Sequence, residues 1–468
     1  MWLAAILHQL HIGTLKTPVV GGFIFNPGSR FSDLRDVIWW SISGYPYGQV
    51  LPDTTTVGPA YPPGVFPAMF VFNELGVVGS QVAIIGSTAI CLGLLCGVVL
   101  RRGRDRAIRI VSGVTVAAWI VTTSFSLDYY AVVLCIASSV AVLATVLGKE
   151  REIIESIAMP TLIGTCMPVV FAIDRLNIYL LVMQLVALSA VLVTCQRRTL
   201  AALAIGVAIA LKTYPIWYLI TDTYAPGRLR RMAVACVTGA GITIWGLLTT
   251  NYSLREAIDG FNRSVQYFEH VYIVQESGMP YGASLLTSLR IIYRDLGRPD
   301  HTALVASIYP EWKTLAPIAV GLVAVIVIAM RTPGWCRLMS VVCALMVFSP
   351  NTGMYRAAVL VVPVAMWLYE VRIRDTGRSI SRWETALGVS IGVGLAPLTF
   401  WTVTGFPIIY LTSQTVLAPF AYGAVMVLAR VVGMQRRGVT ITGSRRHHTR
   451  IPELSHDPTP SQARAATP

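Results

Sequence analysis

The sequence predicts an all-α, polytopic transmembrane helix bundle with about 11–12 membrane segments. Hydrophobic residues make up 54% of the 468-residue chain and charged residues only 13%, whereas a soluble domain carries roughly 25% charged residues. The mean hydropathy is +0.63. Apolar stretches of membrane-spanning length recur along the chain, and the connections between them alternate between basic and weakly charged. These three observations together indicate an integral membrane protein.

The first polar region, residues 26–78, is expected to form an extracytoplasmic loop that carries surface helices. Ser32 is suited to cap a short helix, and Asp33 then lies in its first turn, where a negative charge complements the helix dipole. Residues 1–25 are apolar only in patches, so they fit either a poor first span or the remnant of one.

The predicted first-loop helix has two distinct faces. Leu34, Val37 and Ile38 share one face at i, i+3 and i+4 spacing, and Asp33 and Asp36 share the other. This pattern describes a helix that lies on a bilayer with both acids toward the polar side. The alternatives are a solvated helix whose acids have no function, and a second acid that simply pairs with a neighbouring arginine.

Basic connections mark the cytoplasmic side of the membrane, which places the loops 26–78 and 250–313 outside. Residues 1–432 form the membrane domain, and the basic segment 433–468 is predicted to be a disordered cytoplasmic tail. The predicted spans are 79–100, 107–124, 128–147, 156–173, 176–195, 232–249, 314–330, 337–349, 356–371, 384–403 and 408–431.

Residues 199–224 break the alternation, because both flanks of this apolar segment are basic. Lys212 and Pro215 interrupt its middle. Proline disfavours a continuous helix, and a lysine at mid-membrane depth is tolerated only beside protein or water. A re-entrant pair of half-helices and two short spans explain the pattern equally well. Lys212 is then either a site residue or a side chain that snorkels toward the membrane surface.

Composition and motifs also exclude several classes of protein. The formal net charge is +14, but the arginines cluster in short loops, so nucleic-acid binding is not expected. The cysteines lie in or beside apolar segments and form neither a CxxC pair nor a Cys/His ligand cluster. No dense acid cluster exists beyond Asp33 and Asp36, so the sequence implies no metal and no cofactor.

Four groups of polar residues fall on the predicted outer face. A carboxylate opposite cations suits chemistry on a phosphorylated substrate, because the base deprotonates an incoming hydroxyl and the cations stabilise the departing phosphate. Since nucleotide-sugar pools are cytoplasmic, the expected activated donor is a lipid-linked phosphate. The groups are Asp33 with Asp36; Asp174 and Arg175 with Asn177; His270 with Arg290; and Asn351 with Tyr355 and Arg356. For His270, the alternative is an ordinary surface histidine.

The order of several short motifs resembles the C-type, polyprenyl-phosphate-sugar-dependent glycosyltransferases, and most closely glycosyltransferase family 87. That family includes actinobacterial membrane α-mannosyltransferases. The resemblance runs from about Asp33 to Arg356, and each motif in it is short. The motifs are Asp33-Leu34, Gly44-Tyr45-Pro46-Tyr47, Tyr61-Pro62-Pro63, Arg175-Leu176-Asn177, the segment 206–215 with its central lysine, and Ser349-Pro350-Asn351.

By that resemblance, Asp33 is the catalytic general base. The residues that the resemblance and the local chemistry place around the donor and acceptor are Asp36, Arg175, Asn177, Lys212, Asn351, Tyr355 and Arg356. The chain departs from the family pattern at two points: Tyr355 and Arg356 stand where a histidine often follows the Ser-Pro turn, and Asp174-Arg175 replaces a glycine-glutamine pair.

The resemblance implies an inverting transfer of a sugar, with mannose expected first, from a polyprenyl-phosphate donor to an envelope glycolipid or lipoglycan. The expected location is the plasma membrane, with several spans and an extracytoplasmic site. Besides membrane lipid, the only partners implied are the donor and the acceptor. The alternatives are an arabinofuranosyltransferase of the same fold, a transporter or flippase of lipid-linked intermediates, and an inactive scaffold.

Overall fold

The computed structural model describes residues 31–41, 46–48, 60–99, 169, 172–173, 175–222, 226–275, 284–295, 300–329, 334–350 and 354–373. All of these residues belong to one unit, Met1–Val427. The predicted spans 107–124, 128–147, 384–403 and 408–431, most of 156–173, and the tail from residue 433 lie outside the described residues.

The described part of the chain is helical and contains no strand, as the predicted fold class requires. Three short 3₁₀ segments bear on the site: Pro46–Gly48, Tyr214–Asp222 and Met354–Leu360. The α-helices are α1 (Ser32–Ser41), α2 (Phe66–Val99), α3 (Tyr179–Thr194), α4 (Arg198–Leu211), α5 (Arg228–Leu248), α6 (Leu254–Phe268), α7 (Leu285–Asp295), α8 (His301–Ala329), α9 (Gly334–Phe348) and α10 (Val361–Ile373).

Within the described residues, three segments are long and apolar enough to cross a membrane: Pro63–Cys96, Arg228–Leu248 and His301–Ala329. At about 1.5 Å per residue, a helix of roughly 20 residues spans the 30 Å hydrocarbon core. The predicted spans 79–100 and 232–249 correspond to α2 and α5. The span predicted at 314–330 lies within α8, which begins earlier and contains Pro310 and Pro317.

Helix α2 has a break at Gly76, whose backbone angles are φ 65° and ψ 178°. Glycine adopts this positive φ without the steric penalty that a side chain imposes. The hydroxyl of Ser80 donates to the carbonyl of Phe72 at 2.9 Å across the break. The break therefore divides a short apolar helix from the spanning part that follows, close to the boundary predicted between the loop 26–78 and the span 79–100.

Helices α4 and α5 lie parallel to each other and in close backbone contact. A Cβ atom added at Gly206 would lie 2.7 Å from the carbonyl oxygen of Ala235, and one added at Gly239 would lie 3.1 Å from Cγ2 of Ile209. Since the contact positions increase together along both helices, their basic first residues lie at the same end. The chain between the two helices must therefore run back.

Helix α4 ends at Leu211, and Lys212 has extended backbone angles. Pro215 has no N–H to donate to the Leu211 carbonyl, so the helix cannot continue through it. The chain instead returns through the 3₁₀ segment Tyr214–Asp222. At about 1.5 Å per residue, the 14 residues of α4 cover roughly 21 Å, which is less than a membrane thickness. This geometry favours the re-entrant alternative.

Helix α1 buries its apolar face in the protein core rather than in the bilayer as predicted, with Leu34, Val37 and Ile38 only 1%, 4% and 9% exposed. The predicted cap is wrong by one residue. The carbonyl of Phe31 accepts the first helical hydrogen bond, from the N–H of Arg35 at 3.1 Å. Phe31 therefore occupies the N-cap position, and the Ser32 side chain takes part in the polar cluster described next.

Candidate active site

Asp33 lies in the first turn of α1, where three side chains surround its carboxylate. The amide Nδ2 of Asn177 donates to Oδ2 at 2.5 Å, and the Ser32 hydroxyl donates to Oδ1 at 3.3 Å. The hydroxyl of Tyr355 forms a further hydrogen bond to the carboxylate. Residues from three distant parts of the sequence thus meet at one acid.

Asn177 and Arg175 reach α1 from a tight turn that precedes α3. The turn contains Leu176 at a φ of +48°, a strained angle for a branched residue. The N–H of Asn177 donates to the carbonyl of Ala172 at 3.0 Å. The turn presents both polar side chains to α1, where Arg175 Nη1 donates to the Ser32 hydroxyl at 3.0 Å.

The orientation of the Asn177 amide follows from a second hydrogen bond. The backbone N–H of Tyr179 donates to Asn177 Oδ1 at 3.0 Å. An N–H must face an oxygen acceptor, so the amide NH₂ group is the end that points at Asp33. The carboxylate is therefore met by a hydrogen-bond donor rather than by another oxygen.

Burial raises the pKa of the Asp33 carboxyl above its ordinary value, while the Asn177 hydrogen bond and the charge of Arg175 act in the opposite direction. Burial, together with the nearby charge of Asp33, raises the pKa of Asp36 to about 6. The arginine charges of Arg35 and Arg175 oppose that increase. Both acids of α1 therefore have pKa values above those of isolated carboxyls.

Lys212 and Arg356 form the cationic half of the cluster. The ammonium of Lys212 lies 3.8 Å from the ring centre of Tyr61 and 5.1 Å from that of Tyr179. The guanidinium of Arg356 lies 4.7 Å from the ring centre of Tyr214. Aromatic faces stabilise a cation without cancelling its charge, so both groups keep a positive field for an anionic ligand.

Tyr179 joins the acidic and cationic halves. Its ring stacks with Tyr214 at 5.7 Å and with Tyr355 at 6.2 Å between centroids. Its hydroxyl accepts a hydrogen bond from Arg356 Nη2 at 3.4 Å, while Arg356 Nη1 donates to the Leu345 carbonyl at 3.1 Å. Asp33 and the two cations therefore belong to one continuous cluster.

Sequence reasoning selected Tyr355 but missed Tyr61, Tyr179 and Tyr214 as site residues. The sequence shows the Tyr-Pro pairs, but a Tyr-Pro pair predicts only a turn. The hydroxyl of Tyr47 donates to the Tyr61 carbonyl at 2.7 Å, and the Tyr47 ring stacks with Tyr252 at 6.0 Å. Tyr47 therefore positions Tyr61, whose ring lies against Lys212.

The long-loop candidates have contacts of a different kind. Arg290 is buried and donates to the carbonyls of Ile273 and Gln275 at 2.9 and 2.6 Å. His270 is exposed, and its Nε2 lies 3.1 Å from the side-chain nitrogen of Gln275. These contacts hold the loop segment to α7, which is a structural role. Asp174 and Asn351 lie outside the described residues.

The described residues contain no group of three or more His, Cys, Asp or Glu side chains that could hold a metal ion. The cluster around Asp33 offers hydrogen-bond donors and cations instead. Such a set can bind and polarise an anionic group while an acid takes up a proton.

Long apolar helices, together with a polar cluster of Asp33, Lys212 and the buried Arg356, define an integral membrane protein with a polar site among its helices. Residues 123–350 match the model for glycosyltransferase family 87. This match confirms the resemblance inferred from the motifs, and residues 123–350, 228 of the 468 residues, are similar to a membrane glycosyltransferase of that family. The matched range includes Arg175, Asn177 and Lys212, and it ends before Arg356. No curated protein matches the chain.

Proposed function

We propose that the protein transfers a sugar from a polyprenyl-phosphate donor to a hydroxyl of an envelope glycolipid or lipoglycan. The observation that carries this proposal is the Asp33 carboxylate, which lies hydrogen bonded to Asn177 in the same cluster as Lys212 and Arg356. A base beside cations is the arrangement that a sugar phosphate and an acceptor hydroxyl require.

In the proposed reaction, the acceptor hydroxyl gives its proton to Asp33 as its oxygen attacks the anomeric carbon. The bond between that carbon and the phosphate oxygen breaks, and the polyprenyl phosphate leaves with the electron pair. One displacement inverts the configuration, so a β-linked donor gives an α-linked product. The raised pKa of Asp33 makes the carboxylate a better proton acceptor.

Lys212, Arg175 and Arg356 are proposed to stabilise the leaving phosphate. A buried cation is costly by itself, and an anionic substrate offsets that cost through charge-assisted hydrogen bonds. Tyr61, Tyr179 and Tyr214 keep two of these cations in place before the donor arrives. The proposed chemistry uses no metal, because the cations provide the electrostatic stabilisation.

The family resemblance supports mannose as the first candidate sugar and arabinofuranose as the second, at an extracytoplasmic site in the plasma membrane. The test uses purified protein in liposomes with a glycolipid acceptor and radiolabelled polyprenyl-phosphate mannose or arabinofuranose. We expect label on the acceptor with the mannose donor, at an anomeric configuration opposite to that of the donor. Transfer from the arabinofuranose donor alone would make arabinofuranose, not mannose, the transferred sugar. Retention of the donor's anomeric configuration would exclude a single displacement.

The rival function is movement of the lipid-linked donor across the bilayer without chemistry. The same liposomes distinguish the two functions, because transbilayer movement of donor is measured by its accessibility to an added hydrolase. Donor movement with no transfer from either sugar would contradict the enzymatic proposal.

A substitution at Lys212 is expected to weaken donor binding. Lys212→Gln removes a charge proposed to contact the phosphate, and a hydrogen bond to a charged group contributes about 1.5–3 kcal/mol. The KM for the donor should therefore rise about tenfold to 100-fold. The matched control is Lys313→Gln, because Lys313 is an exposed lysine paired with Glu269 at 2.7 Å. Equal KM values in both variants would remove Lys212 from the phosphate site.

The pH dependence should report the two acids of α1. A base works when ionised, and burial raises the pKa of Asp33, so kcat/KM should fall as the pH drops through a value above that of an ordinary carboxyl. Repulsion between neighbouring carboxylates acts on both of them. Asp36→Asn should therefore move the acid limb to lower pH. An unchanged limb would show that the two acids do not interact.

A further inference from the structure

Helix α6 follows the membrane-spanning helix α5 after the short turn 249–253. The last turns of α5 carry exposed apolar side chains: Leu248 is 79% exposed, and Ile244 and Trp245 are more than half exposed. In a membrane-spanning helix, such side chains face lipid, and tryptophan is typical of the level of the headgroups. Helix α6 therefore begins beside the lipid-facing surface of α5, near the edge of the membrane.

At about 100° of rotation per residue, the side chains of α6 fall on three faces of the helix. The buried face consists of Ala257, Gly260 and Ser264. Its contact with the rest of the protein is close, because a Cβ added at Gly260 would lie 2.8 Å from Cβ of Tyr47. This face explains how α6 is attached to the bundle.

An apolar face and a charged face remain beside the buried face. Leu254 and Ile258, one turn apart, are 63% and 50% exposed. Arg255 and Asp259 lie further around the helix and form an exposed i, i+4 pair at 3.9 Å. The directions are those of a helix lying flat at an interface, with protein on one side, an apolar layer below and water above.

We propose that α6 lies on the bilayer surface with Leu254 and Ile258 inserted at the boundary between headgroups and acyl chains. The partner is the lipid leaflet itself, because the apolar face continues from the lipid-facing end of α5. A capping box between Ser253 and Glu256 begins the helix at the turn, which directs the chain from a span into a surface helix.

This placement also sets the depth of the site in the membrane. Gly260 contacts Tyr47, and Tyr47 donates to the carbonyl of Tyr61 beside Lys212. A helix held at the leaflet surface therefore holds this connected set of residues near the same level.

The test is photo-crosslinking of the full-length protein in phosphatidylcholine liposomes that contain radiolabelled lipid. A benzophenone amino acid replaces Leu254 or Ile258, with Leu248 as the lipid-facing control and Arg255 or Asp259 as the water-facing controls. Each variant is first checked for a monodisperse elution profile. We expect several-fold more lipid adduct at 254 and 258 than at 255 and 259, at a level similar to that at 248.

Two results would overturn the proposal. Lipid labelling at 254 and 258 that is no higher than at the charged positions would place the apolar face in water. Crosslinked dimers in place of lipid adducts would show that a second copy of the chain covers this face.

Discussion

Replacing Asp33 with asparagine is expected to lower the rate of sugar transfer by about 10²- to 10⁴-fold, the usual contribution of a general base. The amide has almost the same shape as the carboxylate but cannot accept the acceptor's proton. Asn177 can still donate to the remaining carbonyl oxygen, so the turn that precedes α3 keeps a partner. The loss should therefore appear in the chemical step rather than in folding.

Initial rates and donor binding, measured on the same preparations, separate these effects. Donor affinity should be retained or improved in Asp33→Asn, because the substitution removes a negative charge beside the phosphate. The matched control is Asp259→Asn on α6, where the carboxylate is exposed and only weakly paired with Arg255. Equal transfer by both variants would assign the base to another residue and leave the enzyme class unchanged.

Gly246→Ala in α5 is expected to destabilise the bundle. The new Cβ would lie 2.0 Å from the carbonyl oxygen of Pro63 and 3.2 Å from Cα of Gly64. Both are backbone atoms, which cannot rotate away as a side chain does. Overpacking of this kind costs about 1–3 kcal/mol, and sometimes more.

Gly241→Ala is the matched control, because it lies in the same helix and its Cβ would meet nothing within 4 Å. That variant should be slightly stabilised, by about 0.5–1 kcal/mol, since alanine favours a helix over glycine. Thermal unfolding in one detergent measures both variants. Equal unfolding midpoints in the two variants would show that residues 63–64 move aside to accept the new methyl group. The close contact would then contribute nothing to stability.

The sequence predicted much of the fold because membrane helices are specified locally. Leu34, Val37 and Ile38 revealed the buried face of α1 by their spacing alone. Lys212 and Pro215 revealed the interruption after α4 for the same reason. The re-entrant path could not be chosen over two short spans, because that choice depends on the parallel packing of α4 against α5.

The candidate site was only partly predictable. Asp33, Arg175, Asn177, Lys212, Tyr355 and Arg356 were singled out as polar residues in an apolar chain, and the structure brings them into one cluster. Among the tyrosines, only Tyr355 was selected, because it follows the Ser-Pro turn. By itself, a tyrosine is equally common in a core, a turn or a membrane interface. The tyrosines that hold the cations therefore went unnoticed.

The opposite error concerns Arg290, which was selected as a candidate site residue because it is charged and lies in a predicted outer loop. The structure uses its guanidinium to bind the loop's own carbonyls. A free backbone carbonyl needs a donor wherever it is buried, and the sequence does not show which carbonyls those are.

By itself, the sequence determined that this protein is a helical membrane protein, since a membrane helix satisfies its backbone hydrogen bonds within one segment. It also determined which polar residues the membrane bundle must accommodate. Only the tertiary structure decided that Asp33 meets Asn177, which lies 144 positions later, and that Tyr179 connects that acid to the cations. Contacts between distant segments depend on how helices pack, and no local pattern specifies that packing.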